Sequence, residues 1–319
     1  MTRYLFTRTL HAIFVLWGAF TLSFILLQVM PGDAVLVKFQ DPELGLNPQQ
    51  IADMRATYGA DESAITQYIH VLGRTLHGNL GYSIETGLPV GHMLQAAYPT
   101  TLRLAIISFA GAIILSITFC TLALLLCEHV TGRYIAGLIS AIPGITSGIP
   151  VFWLEIVAIQ LVSFHWKLIP VVGLSGWSAV FLPGLALAIP ISAPLAQVFI
   201  TTAKRVQQLP FIDVLRARGL SPFRILCAHI IPNAFPPTLT VSGLVFGEIL
   251  AGAVVTETVF GLDGLGQLAQ QAVASQDVAV LQAIILISVA GFISIGLLSE
   301  FIQPLLDPRI GRNGQQRKY

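Results

Sequence analysis

The chain has 319 residues, of which 55 % are hydrophobic and only 10 % charged, and its formal net charge is +1. Soluble domains carry about a quarter charged residues, so most of this surface does not face water. The balanced charge provides no bulk field for nucleic acid, and Cys120, Cys127 and Cys227 show neither metal-ligand spacing nor a disulfide framework.

A bilayer core needs about 20 mostly apolar residues per helix. Six runs qualify, at 9–30, 100–127, 139–163, 179–201, 238–257 and 281–303. The first follows Arg3 and Arg8 as a secretory signal would, but it is too long and no small-residue cleavage site follows. Instead Pro31 and Gly32 in VMPGD (29–33) end it as a helix. Segment 31–99 then carries two helical patterns. In NPQQIADMRATYG (47–59), Asn47 caps ahead of Pro48 and Gly59 stops the helix. In DESAITQYIHVLGRTLHG (61–78), Asp61 and Glu62 favour the start. The segment is read as a small, acidic, helical cap.

Pro143, Pro150, Pro190 and Pro194 interrupt spans three and four. In span five, Gly243 and Gly247 form a G-x-x-x-G pair that allows close helix packing, with Gly252 further along. The stretch 260–280, FGLDGLGQLAQQAVASQDVAV, reads as a glycine-rich turn and a short amphipathic helix, re-entrant or interfacial; an ordinary connection is the alternative.

Orientation follows from Lys and Arg. The odd-numbered polar segments hold twelve of them: Arg3, Arg8, Arg133, Lys204, Arg205, Arg216, Arg218, Arg224, Arg309, Arg312, Arg317 and Lys318. The even-numbered ones hold four: Lys38, Arg55, Arg74 and Lys167. Both termini and the segment after span four are therefore expected in the cytoplasm, and 31–99 outside.

That cytoplasmic segment, 203–237, reads as a helix–elbow–helix. Pro210 suits a first turn, where its missing N–H is unneeded. Gly219 takes the left-handed conformation that closes a helix. Ser221 caps a second helix beginning at Pro222, and Pro232 is expected to stop it. Phe211, Leu215, Phe223, Leu226 and Ile230 supply an apolar side, and the arginines point to water or to a partner. A basic amphipathic segment of this kind either lies on anionic lipid or docks a protein.

Charged residues inside spans default to function. Glu155 and Glu248 either line a pathway favouring cationic cargo or sit buried in the bundle. No metal ligands are assigned: His70, His77 and His92 lack the spacing of a metal box.

The 213–232 stretch resembles the signature of inner-membrane permease subunits of ABC importers, E-A-A, three residues, Gly, nine residues, I-x-L-P. Asp213-Val214-Leu215 stands at E-A-A, and Gly219 and Pro232 fall at their places. Phe211 and Arg216-Ala217-Arg218-Gly219 resemble the peptide/nickel, dipeptide-permease-B-like branch in particular. Further stretches similar to that branch are MPGD (30–33), GNLGYS (78–83), PTTLRL (99–104), GIPVFWL (148–154), TETVFGLDGLG (256–266) and LDPRI (306–310). Glu257 matches T-E-T-x-F and is expected to anchor the outer end of span five.

The resemblance implies an all-α integral membrane permease domain over 1–319, with six transmembrane helices, a periplasmic cap at 31–99 and a cytoplasmic coupling-helix hairpin at 203–237. It implies importing peptides, nickel or a metal-chelate complex across a bacterial inner membrane, with no catalytic residue and no cofactor on this chain. ATP and Mg would sit on two cytoplasmic ATPase subunits that receive Phe211, Asp213, Arg216, Ala217, Arg218, Gly219 and Pro232. A second permease, identical or homologous, and a periplasmic or lipid-anchored substrate-binding protein complete the set. Consistent with this, no glycine precedes Lys38, Lys167, Lys204 or Lys318, so the sequence contains no G-x-x-x-x-G-K-[ST] phosphate loop. An intramembrane enzyme is opposed by the absence of H-E-x-x-H. A stand-alone ion-coupled carrier remains the alternative, since its helices are often interrupted at midplane.

Overall fold

The computed structural model describes residues 2–29, 49, 63–126 and 130–306. The helix expected at 47–59 (save residue 49), Asp61, Glu62, the MPGD stretch and LDPRI beyond Leu306 lie outside them. In chain order the helices are α1 (Thr2–Val29), α2 (Ala64–Leu76), α3 (Val90–Leu126), α4 (Val130–Thr146), α5 (Val151–Ala158), α6 (Trp177–Gln207), α7 (Pro210–Ala217), α8 (Pro222–Ile225), α9 (Ile231–Phe260), α10 (Leu265–Ala274) and α11 (Val278–Leu306). α10 occupies the stretch where a short helix is expected after the glycine-rich turn.

Among the described residues, five helices are long and apolar enough to cross a membrane, or six if one bent pair counts as a single broken span. That pair is the third expected span. It is not one rod: its two arms, Tyr134–Thr146 and Val151–His165, meet at 105°. Pro150 sits at the break in an extended conformation as the N-cap of α5. A proline also drives the residue before it out of the helical region, so Ile149 cannot carry the helix through. Pro143 stays inside α4. Pro190 and Pro194 do not interrupt span four either: α6 runs through both, and through Pro183. α6 is buried along most of its length, and neighbouring helices hold such prolines in place. α3 starts at Val90, ten residues before the expected span, and carries Pro99 inside it.

Two compact units make up the chain. The first comprises residues within Met1–Pro99 and Asp263–Gly291. Here Val90, Leu94 and Ala97 pack with Leu265 and Ala272 of α10 and with Val280, Leu281 and Ile284 of α11. Ser83 Oγ donates to Asp277 Oδ2 at 2.5 Å, and Asp277 Oδ1 accepts from Val280 N at 3.3 Å. One carboxylate thus ties the GNLGYS loop to the start of α11. Gly78 and Gly81 in that loop hold φ of 78° and 83°, a region that disfavours other residues.

The second unit comprises described residues within 100–262 and 292–306. Ala105 and Ala112 of α3, Leu187, Ile191 and Leu195 of α6, and Val245 and Ile249 of α9 form its middle layer. Glycines set the closest approaches. A Cβ at Gly184 would meet Ile107 Cγ2 at 2.6 Å and Ile107 Cβ at 2.9 Å. One at Gly111 would meet Ala188 Cβ at 2.9 Å, and one at Gly252 would meet Leu187 Cδ1 at 2.7 Å. Of the expected G-x-x-x-G pair, Gly247 lies against Phe292, 3.2 Å from a built Cβ. No described atom lies within 4 Å of one built at Gly243.

Candidate functional site

The hairpin between spans four and five is built from local signals. Pro210 occupies the first turn of α7, with Leu209 as its extended N-cap. At the other end Gly219 has φ +75°. Its N–H donates to Arg216 O at 2.9 Å, and Leu220 N donates to Leu215 O at 3.3 Å. These are the paired bonds of a Schellman closure, and Leu215 and Leu220 are each partly buried against the core beneath it. Ser221 then caps α8, its Oγ accepting from Arg224 N at 3.4 Å, with Pro222 in the first turn.

Pro232 does not stop the second arm. α8 passes through a π-helical turn, Leu226–Ile230, directly into α9, so that Pro222–Phe260 is one helical run of 39 residues. A proline ring collides with the carbonyl four residues before it in a regular helix. The wider π turn falls just there and makes room. Asn233 Nδ2 donates to His229 O at 2.6 Å, occupying a carbonyl of the widened turn. The hairpin's second arm and the fifth span are therefore one element.

The two faces of the hairpin differ from expectation. Its buried side is Ile212, Ile225, Leu226 and Ile230, packed with Cys120 and Leu124 of α3, Phe199, Ile200, Ala203 and Val206 of α6 and Ala234 of α9. Leu215 packs partly against that cluster. Phe211 and Phe223, expected on the apolar side, are 40 % and 61 % exposed, and Val214 is exposed beside them. The helical period explains this: seating Ile212 and Leu215 turns positions 211, 214 and 218 outward. Asp213, Arg216, Ala217, Arg218, Gly219, Arg224 and Pro232 are all exposed as well. Arg216 Nη1 and Asp213 Oδ1 pair at 3.4 Å across one turn, a surface ion pair that contributes little to stability. The exposed face thus combines two aromatic rings, a valine and three guanidinium groups.

A second set of polar residues lies inside the spans. Glu155 of α5 is fully buried, and its Oε1 accepts from Thr256 Oγ1 of α9. Its Oε2 has no hydrogen-bond partner among the described residues. Next along α9, Glu257 is also fully buried, and its Oε1 accepts from Thr101 Oγ1 at 2.6 Å. Adjacent residues of one helix therefore anchor two others, α5 and α3. The sequence singles out Glu155 and Glu257 but not their threonine partners, because nothing in the residues around Thr101 or Thr256 marks a bond to a distant carboxylate. Glu248, by contrast, is exposed on α9, on a face shared with exposed Leu244 and Val255.

His77 Nδ1 lies 2.8 Å from Gly73 O at the end of α2. Among the described residues no three His, Cys, Asp or Glu side chains converge as metal ligands would.

The chain matches the family model of the binding-protein-dependent transport system inner membrane component over residues 121–312. It matches the N-terminal model of the same membrane components over residues 1–105. It is 30 % identical over 318 residues to a peptide transport system permease protein of Brucella abortus, covering 97 % of this chain and 99 % of that one. It is 29 % identical over 327 residues to the dipeptide transport system permease protein DppB of Escherichia coli K12, covering 92 % and 94 %. Among solved structures it is similar to a chain of the inward-facing MetNI methionine ABC transporter, with TM-score 0.58 and 16 % identity over 67 % of this chain and 96 % of that one. That likeness shows the fold. The chain belongs to the binding-protein-dependent transport system inner membrane components, the multi-pass permease subunits of ABC importers.

Proposed function

We propose that this chain is one of two permeases lining the pathway of a peptide importer, and that 203–237 is its coupling loop. The names of its relatives favour peptides over the nickel or metal-chelate cargoes of the same branch. Following the Lys and Arg distribution, the termini and the hairpin lie in the cytoplasm. ATP and Mg2+ belong to two ATPase subunits, and this chain carries no cofactor. A periplasmic or lipid-anchored binding protein delivers the cargo, and a second permease, identical or homologous, completes the pathway.

The observation that carries this reading is the two-faced hairpin. One face is locked into the core of α3, α6 and α9, and the other presents Phe211, Val214, Phe223 and three arginines to a partner. Arginines offer planar, multi-donor contacts, and exposed aromatics supply the anchors typical of interfaces. Its second arm continues as the fifth span, so ATPase closure pulling on the hairpin displaces that span directly.

Glu248 fits the pathway or the face toward the second permease. A carboxylate midway along a span that faced lipid would cost about 2.5–3.5 kcal/mol, so that face needs a polar or protein neighbour. Glu155 serves instead as a bundle contact through Thr256.

The test is purification from membranes followed by reconstitution. Co-purification of an ATPase, with peptide uptake that requires ATP, is the expected result. Uptake driven by an ion gradient in vesicles lacking any ATPase would overturn the reading in favour of a stand-alone carrier.

A further inference from the structure

We propose that α2 is an interfacial helix immersed in the leaflet at the C-terminal end of α1, with lipid as its partner. α2 is amphipathic by position. Ile65, Ile69, Leu72 and Leu76 recur at i, i+4, i+7 and i+11, one face of a helix. Gln67, His70 and Arg74 fall on the opposite side. Leu72 is half-buried, but the rest of the apolar stripe is open: Ile65 is 74 % exposed, Ile69 59 % and Leu76 77 %, and α2 has no buried residue.

What covers the stripe follows from where α2 is attached. Tyr68, on the flank of that stripe, is the anchor. Its ring packs edge-on against Phe20 and Phe24 of α1, with centroids 5.5 and 5.3 Å away. Its hydroxyl lies 2.8 Å from Thr21 Oγ1. The apolar run of α1 extends over Thr7–Leu27. Phe24 and Phe20 lie three and seven residues before its end, which at the helical rise of about 1.5 Å per residue is roughly 5–10 Å inside it. That is the depth at which interfacial amphipathic helices bury their apolar face, about 5–10 Å into the headgroup–acyl boundary. At the same level α1 itself exposes Leu22, Ile25 and Leu26. The stripe on α2 therefore continues the lipid-facing surface of α1. A helix pinned this way fixes the depth of the first span, as flanking interfacial anchors do.

The test uses the full-length chain in lipid nanodiscs, with Cys120, Cys127 and Cys227 replaced by alanine. Spin labels are placed at Ile65→Cys, Ile69→Cys and Leu76→Cys, and for comparison at His70→Cys and Arg74→Cys. All five sites are exposed, so the labels displace no core side chain. The expected result is a ratio of oxygen to water-soluble nickel-chelate accessibility several-fold higher at 65, 69 and 76 than at 70 and 74. Equal, high chelate accessibility at all five would place α2 in water and overturn the proposal. Shielding of 65, 69 and 76 from both reagents would overturn it too, by showing that protein covers the stripe, whether residues 30–62, a second permease or a binding protein.

Discussion

Thr101 Oγ1 lies 2.6 Å from Glu257 Oε1, joining two buried residues 156 positions apart. Both belong to family-like stretches, PTTLRL and TETVF, that share no pattern along the chain. The bond ties the second crossing to the end of α9, the helix that begins at the hairpin. Removing one partner from a buried pair costs about 1–3 kcal/mol, because the group left behind is already desolvated. Thr101→Val is therefore expected to lower thermal stability in detergent, and Thr101→Ser, which keeps the hydroxyl, to lower it less. Equal melting of both variants would show that the bond contributes nothing.

Thr256 and Glu155 join α9 to α5, the second arm of the bent pair. Hydrogen bonds between membrane helices average about 0.6 kcal/mol, with a maximum near 1.7. A double-mutant cycle with Thr256→Val, which removes the donor, and Glu155→Leu, which removes the acceptor, is expected to give a coupling energy of about 1 kcal/mol. Strict additivity of the two substitutions would remove the contact as an energetic link.

Gly184 and Gly243 offer a controlled comparison. A methyl at Gly184 overlaps the branched Cβ of Ile107, whereas one at Gly243 meets no described atom. Overpacking typically costs about 1–3 kcal/mol. Gly184→Ala is expected to destabilise the protein by that order and Gly243→Ala to leave its melting unchanged, as read by thermal unfolding in detergent.

The hairpin separates folding from docking. Phe211→Ala with Phe223→Ala removes exposed rings and is expected to leave unfolding unchanged while lowering ATPase co-purification several-fold. Gly219→Ala places a Cβ in the left-handed region, at about 1–2 kcal/mol, and loosens the elbow itself. It is expected to lower the ratio of peptide transported to ATP hydrolysed, and Gly219→Asn, which tolerates that region, to lower it less. An unchanged ratio in Gly219→Ala would exclude the elbow as a stiff link.

Glu248→Gln removes the one exposed carboxylate described on α9 without changing its shape. Uptake of cationic peptides is expected to fall more than uptake of neutral ones. Equal loss for both would mean the residue packs against a neighbour and does not select cargo.

Much of the architecture was legible in the chain because it is local. Apolar runs of spanning length, the Pro210 start, the Gly219 closure and the Ser221–Pro222 cap each depend on a few neighbouring residues; the runs fall on helices, the third broken at Pro150, and the three hairpin signals sit at the expected positions. What required the tertiary structure is what depends on a neighbour far along the chain. Pro150 breaks its span at 105° while Pro190 and Pro194 leave theirs intact, because α6 is packed on most sides and holds its prolines in the helix. Pro232 is absorbed by a π turn instead of ending a helix. Gly184 and Gly111, unmarked by spacing, are close-contact points, whereas Gly243 of the G-x-x-x-G pair is not. Thr101 and Thr256 became meaningful only when folding brought them to the buried carboxylates. A residue's backbone preference is written in its immediate sequence, but its packing and hydrogen-bond partners exist only once distant segments have met.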